Sequence, residues 1–274
     1  MTDPGSAPTA TKQPRPPALL SIQSRVVYGH VGNAAAMPAL QGLGIECWPI
    51  DTVMLSSHLG YPQARGMRHT RETLTPLLDG LEAIGALAAC DGVLSGYLGD
   101  AGNAELVADA VARVKRHNLA AFYALDPVMG EQSDGLYVAE AAAAAIRDRL
   151  LPLADIVLPN QFELGWLAGM ACDTVDGAIA AADVLRWQSP RNLTVIATGI
   201  ETDERTLATL AVATGGAWRV DVERKQLMAH GTGDYFAASL VGRIVLGSDL
   251  PAALAAAMED TQAIVAATVA AGRH

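Results

Sequence analysis

The 274-residue sequence is poor in aromatic residues, in basic residues and in cysteine. Aromatic residues make up 5%, and 19 lysines and arginines stand against 29 aspartates and glutamates, which gives a formal net charge of −10. Such a chain offers no basic surface to a nucleic-acid backbone, so we expect no nucleic-acid partner. Three cysteines are too few for a disulfide-stabilised secreted module and indicate buried thiols in a reducing cytoplasm.

Long uninterrupted hydrophobic runs are also missing, although 51% of the residues are hydrophobic, as in a packed globular protein. The longest run, residues 252–271, is interrupted by Glu259, Asp260 and Gln262, so it predicts an alanine-rich helix and no membrane partner. Residues 1–17 contain five prolines and no secretory signal segment. We predict a disordered, proline-rich leader over 1–17 and a single domain over 18–274.

Within 18–274, short apolar segments alternate with helical segments. Candidate strands are residues 18–23, 45–51, 92–95, 120–126, 155–158, 193–198, 206–213 and 217–222. Candidate helices are residues 32–42, 72–87, 102–117, 139–150, 160–169, 174–187, 232–247 and 251–270. This alternation predicts an α/β fold of three layers, with a mostly parallel central sheet and helices on both faces. A hairpin connection at residues 214–216 predicts an antiparallel portion at one edge.

One segment has the composition of a phosphate site. In such sheets, ligands bind beyond the carboxyl ends of the strands. Gly231, Thr232 and Gly233 could present backbone N–H groups at the positive end of the helix that follows. Asp234 would then repel a phosphate unless it accepts a proton from an attacking hydroxyl. The alternative is an ordinary helix cap supplied by Thr232 or Asp234.

Other phosphate-binding motifs are absent from the sequence. It contains no Gly-x-x-x-x-Gly-Lys-Ser/Thr segment, which excludes a P-loop enzyme. It also has no strand-linked Gly-x-Gly-x-x-Gly segment, which disfavours a dinucleotide enzyme.

A second group of polar residues follows two predicted strands. Asp126 ends a strand and is held extended by Pro127, so its side chain is expected in the ligand crevice. Asn160 and Glu163 have the spacing of a helix N-cap and its third residue, which predicts a capping box. A magnesium ion bridging nucleotide phosphates is the equally weighted alternative for Glu163.

Taken together, these segments resemble the pyridoxal kinases of the ribokinase-like superfamily over about residues 18–270. The resemblance rests on segments 21–33 (Ser-Ile-Gln-Ser-Arg-Val-Val-Tyr-Gly-His-Val-Gly-Asn), 94–99, 126–130, 159–163 and 231–234. The first two are specific to pyridoxal kinases, and hydroxymethylpyrimidine kinases share the other three. The resemblance implies a ribokinase-like (Rossmann-type) fold and ATP-dependent phosphorylation of the 5′-hydroxymethyl group of pyridoxal, and of pyridoxine and pyridoxamine, for vitamin B6 salvage.

The resemblance also implies roles for individual residues. Asp234 is the expected base, and Gly231, Thr232 and Gly233 form the anion hole. The expected substrate-binding residues are Ser24, His58, Leu59, Gly60, Tyr97 and Asp234. The expected ATP-binding residues are Asp126, Leu158, Asn160, Glu163 and Thr198, of which Asp126 and Glu163 would also bind Mg²⁺. ATP is the co-substrate, a monovalent cation is a further candidate, and a cytoplasmic homodimer is implied.

Three positions depart from the family pattern. Leu59 stands where a threonine is usual, Ala64 where a tryptophan is usual, and Thr198 where bacterial pyridoxal kinases often carry a lysine. Alternative functions are a hydroxymethylpyrimidine kinase and a low-turnover protein that binds B6 vitamers. Individual assignments have alternatives as well, since Tyr97 could serve only packing and Ser24 only a turn.

Overall fold

Most segments predicted as strands form strands and most predicted as helices form helices in the computed structural model, which describes residues 15–225 and 230–271. The strands are β1 (Ala18–Val26), β2 (Glu46–Leu55), β3 (Gly66–Arg68), β4 (Gly92–Ser95), β5 (Phe122–Leu125), β6 (Gly130–Glu131), β7 (Gly135–Leu136), β8 (Ile156–Val157), β9 (Thr194–Glu201), β10 (Thr206–Ala213) and β11 (Gly216–Glu223). The helices are α1 (Asn33–Gly42), α2 (Arg71–Ala83), α3 (Asn103–His117), α4 (Glu140–Ala145), α5 (Gln161–Ala168), α6 (Val175–Gln188), α7 (Thr232–Val245) and α8 (Leu250–Ala270).

Nine of the strands form one sheet, in the order β11-β10-β9-β8-β5-β4-β1-β2-β3. The six strands from β9 to β2 pair in parallel. The predicted antiparallel edge is present, because β10 pairs antiparallel with both β9 and β11. A second antiparallel edge, formed by β3 on β2, was not expected from the sequence.

Both faces of the sheet are covered, as the continuous apolar strands predicted. In β1, Leu19 packs into a core cluster with side chains of α1, α7 and α8. Its neighbour Leu20 packs into a cluster on the opposite face, with side chains of α2, α3, α5 and α6. Successive side chains of a strand point to opposite faces, so β1 contributes to both halves of the core. This confirms the three-layer α/β prediction.

Two predicted helices are shorter than expected. The helix expected over 72–87 ends at Ala83, because Gly85 adopts the left-handed conformation (φ 74°) before a short 3-10 turn at Ala86–Ala89. The helix expected over 139–150 is α-helical only to Ala145 and continues as a π-helical turn at Ile146–Leu150. A 3-10 turn containing Pro152 follows, and proline cannot donate the backbone hydrogen bond that would continue the helix.

The predicted leader lies mostly outside the described residues. Of its members, residues 15–17 are described, and Arg15 donates hydrogen bonds of 2.8 Å to both carboxylate oxygens of Asp91. The leader's disorder and the domain boundary at residue 18 therefore stay predictions. Among the described residues, no helix is both long and apolar enough to cross a membrane. All three cysteines are buried free thiols, as expected.

Candidate active site

The carboxyl ends of the parallel strands open into a cavity of about 590 Å³. Every residue that the sequence nominated for catalysis or binding lines it: Ser24, His58, Leu59, Gly60, Tyr97, Asp126, Leu158, Asn160, Glu163, Thr198, Gly231, Thr232, Gly233 and Asp234. These residues come from loops scattered over the chain. Their convergence follows from parallel pairing, which brings the carboxyl ends of the strands to one edge of the sheet.

The cradle, residues 231–234, lies at the start of α7. Gly231 occupies the cap position in the left-handed region (φ 89°), and no side chain of the described residues caps this helix. The alternative interpretation of Thr232 or Asp234 as an ordinary cap is therefore wrong. The first N–H groups of α7 are left for a ligand, and the positive end of the helix dipole favours an anion there.

Gly231 is fixed by a close backbone approach. A Cβ atom added to it would lie 1.6 Å from the carbonyl oxygen of His30, in the loop between β1 and α1. No side chain fits at that distance, so only glycine allows the cradle to pack against this loop.

Asp234 lies in the first turn of α7 and faces the β1–α1 loop. Burial raises the pKa of its carboxyl above the usual value, and interaction with the backbone N–H of Gly32 acts in the opposite direction. Gly32 also packs against Ser24, since an added Cβ would lie 2.1 Å from the Ser24 carbonyl oxygen. Gly32, in this loop, therefore contacts both Ser24, which the sequence nominated for substrate binding, and the candidate base.

A carboxylate wall, formed by Asp126, Asn160 and Glu163, bounds one side of the cavity. The predicted capping box is present: Asn160 Oδ1 accepts from the Glu163 N–H at 2.9 Å, and Glu163 Oε2 accepts from the Asn160 N–H at 3.0 Å. Glu163 Oε1 accepts from the N–H of Met129 at 2.7 Å, and Asn160 Nδ2 donates to the carbonyl oxygen of Gly130 at 2.7 Å. Glu163 thus fixes the segment that follows Asp126.

The electrostatics of this wall are unfavourable for the protein alone. Burial, together with the charges of Glu163 and Asp234, raises the pKa of Asp126 well above its usual value. Burial also raises the pKa of Glu163 to about 7, against the effect of its backbone donors. Among the described residues that line the cavity, none is a lysine or an arginine. A bound cation would relieve this excess of negative charge.

A second part of the lining is the tyrosine wall, formed by Ser24, His58, Leu59 and Tyr97. The Tyr97 carbonyl oxygen accepts a 2.6 Å hydrogen bond from Thr52 Oγ1, and its hydroxyl accepts one of 3.3 Å from Arg68 Nη1. Tyr97 also packs against a small apolar cluster that includes Val26 and Val53. Packing is therefore part of its role, but the ring still borders the cavity.

Thr198, which the family resemblance nominated for ATP binding, is an uncharged residue at the edge of the cavity. Thr198 lies in β9, next to the carboxylate wall, where its N–H donates to the Pro159 carbonyl oxygen at 2.9 Å. It also forms an isolated parallel bridge with Asn160. The hydroxyl is thus placed beside the wall and brings no positive charge to it.

Sequence reasoning missed some cavity residues. His230 directly precedes the cradle and stacks on His58, and Tyr137 follows the β6–β7 hairpin. Position next to Gly231 was the available signal for His230. No local pattern indicated that Arg68 contacts Tyr97, because the contact joins residues 29 positions apart.

Comparison with known proteins places these features in context. Residues 74–274 match the family model described as phosphomethylpyrimidine kinase. A pyridoxal kinase of Leifsonia xyli subsp. xyli is 40% identical over 93% of this chain and 91% of its own length. A pyridoxal kinase of Rubrobacter xylanophilus is 40% identical over 92% of this chain and 87% of its own length. The structure of pyridoxal kinase from Leishmania donovani in complex with ADP and pyridoxine superposes with a TM-score of 0.85 at 35% identity, covering 92% of this chain and 86% of that one.

Proposed function

The chain belongs to the phosphomethylpyrimidine kinase family and, within it, to the pyridoxal kinases, and we propose that it transfers the γ-phosphoryl group of ATP to the 5′-hydroxymethyl group of pyridoxal. Pyridoxine and pyridoxamine are further acceptors, because solved relatives with 35% identity bind them together with ADP. The product from pyridoxal is pyridoxal 5′-phosphate. The observation that carries this proposal is the position of Asp234 beside an uncapped helix start, in one cavity with both walls.

The chain's own residues supply the parts that phosphoryl transfer needs. Asp234 accepts the proton of the vitamer hydroxyl while the oxygen of that hydroxyl forms a bond to the γ-phosphorus. The bond from that phosphorus to the β–γ bridging oxygen breaks, and ADP leaves. The N–H groups of residues 231–233 and the α7 dipole stabilise the charge on the transferring phosphoryl oxygens.

The carboxylate wall fits a magnesium ion shared with the nucleotide. Its donors are hard oxygen atoms, and one or two carboxylates together with phosphates are the usual protein environment of Mg²⁺. Asp126 is the better candidate for direct contact, because both carboxylate oxygens of Glu163 already accept backbone N–H groups. When bound, the ion would neutralise phosphate charge. No group of three or more His, Cys, Asp or Glu side chains in residues 15–225 and 230–271 forms a metal site of its own.

The tyrosine wall is the proposed site of the pyridine ring. Tyr97 supplies a flat surface, Ser24 a hydroxyl, and the loop of His58, Leu59 and Gly60 closes the side of the cavity. The Leu59 side chain is 50% exposed and offers no hydrogen bond there, so polar recognition rests on the other residues. We extend the proposal to a homodimer and a cytoplasmic location, as the family resemblance implies.

A direct assay tests the function. The protein with Mg-ATP is incubated separately with pyridoxal, pyridoxine, pyridoxamine and hydroxymethylpyrimidine, and both ADP and phosphorylated product are measured. We expect phosphorylated B6 vitamers at the highest kcat/KM, with pyridoxal preferred. Phosphorylation of hydroxymethylpyrimidine alone would support the other activity of this family. Tight vitamer binding without product would support a low-turnover binding protein.

A further inference from the structure

Two imidazole rings stack on each other at the edge of the active-site cavity. His58 and His230 stack with ring centroids 4.0 Å apart and an interplanar angle of 20°. Both rings line the active-site cavity, and both also line a second cavity of about 370 Å³ beside α8. We call this pair the histidine stack. It lies between the tyrosine wall, to which His58 belongs, and the cradle, which His230 precedes.

The stack fixes His58 from two directions. Within the ring plane, Nδ1 of His58 accepts the N–H of Gly60 at 3.1 Å. Across the ring face, the stacked His230 ring limits rotation of the His58 side chain. Burial, followed by the neighbouring His230, lowers the pKa of His58, which favours the neutral ring. Since Nδ1 is an acceptor, the neutral ring carries its proton on Nε2 and retains one donor.

The other member of the stack is covalently joined to the cradle. His230 precedes Gly231, whose backbone is held against the His30 carbonyl oxygen. His58 belongs to the loop between β2 and β3, which also reaches the cavity through Gly60 and the exposed Leu59. Among the contacts of the described residues, the stack is a direct link between this loop and the phosphoryl-transfer machinery.

We propose that His230 is a positioning residue, which acts through His58 to orient the vitamer. By stacking, it holds the His58 ring in the orientation that faces the vitamer and keeps residues 58–60 against the cradle. The vitamer is thereby bound with its hydroxymethyl group toward Asp234. This role deepens the proposed kinase function and rests on it.

The kinetic test compares four variants with the wild type: His230→Ala, His230→Phe, His58→Ala and the double variant His58→Ala/His230→Ala. We expect His230→Ala to raise the KM for pyridoxal about five-fold, the range that loss of one aromatic pair produces, with the KM for ATP changed less than about two-fold. His230→Phe retains a flat ring and should remain within about two-fold of the wild type. The double variant should bind pyridoxal no worse than His58→Ala, because the two residues act as one unit.

A matched control is His117→Ala, on α3, where the ring bonds Glu82 and lines neither cavity. It should leave both KM values unchanged. An unchanged pyridoxal KM in His230→Ala would overturn the proposal. So would an equal rise in the KM for ATP, which indicates general loosening of the cradle, or a His230→Phe variant as impaired as His230→Ala.

A second measurement does not depend on turnover. In ¹⁵N–¹H spectra of the histidine side chains, His58 should appear as the neutral Nε2–H form, and its ring protons should carry a ring-current shift. That shift should disappear in His230→Ala and persist in His230→Phe. If the wild type phosphorylates no vitamer, the kinase proposal fails, while these spectra still decide the stack: His58 signals that are identical in wild type and His230→Ala overturn it.

Discussion

The two walls of the active-site cavity are built in different ways. The carboxylate wall is held by hydrogen bonds to the backbone. The Glu163 carboxylate accepts hydrogen bonds from the backbone N–H groups of Met129 and Asn160, and the second of these completes the capping box. The tyrosine wall also has contacts between two side chains: Arg68 contacts the Tyr97 hydroxyl, and His230 stacks on His58. Glu163 is 2% exposed, whereas Leu59 is 50% exposed.

Under the proposed function, the carboxylate wall is assigned to the nucleotide and the tyrosine wall to the vitamer. Each of these hydrogen bonds has one backbone partner, which no substitution removes, but its other partner is the side chain of Glu163 or Asn160, so a substitution at either residue weakens the carboxylate wall. The side-chain contacts of the tyrosine wall lie on separate residues and can be exchanged one at a time, so under the proposed function we expect vitamer preference to change there without loss of the fold. We therefore expect substitutions in the two walls to affect different kinetic constants.

The largest expected effect lies between the walls, at Asp234. Asp234→Asn keeps the shape of the side chain but cannot take the proton of the hydroxyl, so kcat should fall by about 10²- to 10⁴-fold. Vitamer affinity, measured by calorimetry, should change by less than about three-fold, because neither wall is altered. The exposed Asp176→Asn on α6 is the control. A kcat of Asp234→Asn close to that of the wild type would remove Asp234 from the mechanism.

An intermediate effect is expected at Glu163, in the carboxylate wall. Glu163→Gln cannot accept with both side-chain atoms, so one backbone donor is left unpaired and the free energy of unfolding should fall by about 1–3 kcal/mol. The KM for ATP should rise more than the KM for pyridoxal. A larger rise for pyridoxal would break the division between the walls.

The raised pKa of Glu163 also predicts how the free energy of unfolding changes with pH, and Glu163→Gln serves as the reference. The pKa of Glu163 is raised from 4.5 to about 7, so between these values the folded state binds more protons than the unfolded state. The contribution of Glu163 to stability is therefore greatest below pH 4.5 and declines as the pH rises to about 7. Urea unfolding at several pH values should show the wild type losing stability relative to Glu163→Gln over this interval. A difference independent of pH would contradict the raised pKa.

The smallest effect is expected at Tyr97, in the tyrosine wall. Tyr97→Phe keeps the ring and its packing but removes the hydroxyl that Arg68 contacts. We expect the KM for pyridoxal to rise about two-fold and the free energy of unfolding to change by less than about 0.5 kcal/mol. Arg68→Lys should behave similarly. A change in the KM for ATP of equal size would blur the contrast between the walls.

The sequence was sufficient to predict the main elements and many of the residues that meet in the cavity, although His230 and Tyr137 were missed. Strands β4 and β10 begin and end where their apolar patterns do. The Asn160–Glu163 spacing correctly predicted a capping box, because both partners lie within one turn. Parallel strands then place the predicted loops together without further information. The roles assigned to the residues of the cavity stay proposals.

The remaining features depend on contacts that no local pattern encodes. Strand β3 has only three residues, and the β6–β7 hairpin pairs two with two, so neither shows periodicity. The π-helical turn at Ile146–Leu150 interrupts a segment whose alanine content favours a continuous helix. The histidine stack joins His58 and His230, which lie 172 positions apart, and it forms only because the fold brings them together.

The cradle has a consequence for how the chain can change by mutation. Its binding groups are backbone amides, which are present whatever side chains surround them, and this is compatible with a net charge of −10. Loss or reversal of charge elsewhere on the surface does not remove them. Yet a single added carbon atom at Gly231 would meet the His30 carbonyl oxygen at 1.6 Å. The cradle therefore tolerates charge-changing substitutions elsewhere on the surface but does not tolerate the methyl group that a Gly231→Ala substitution would add.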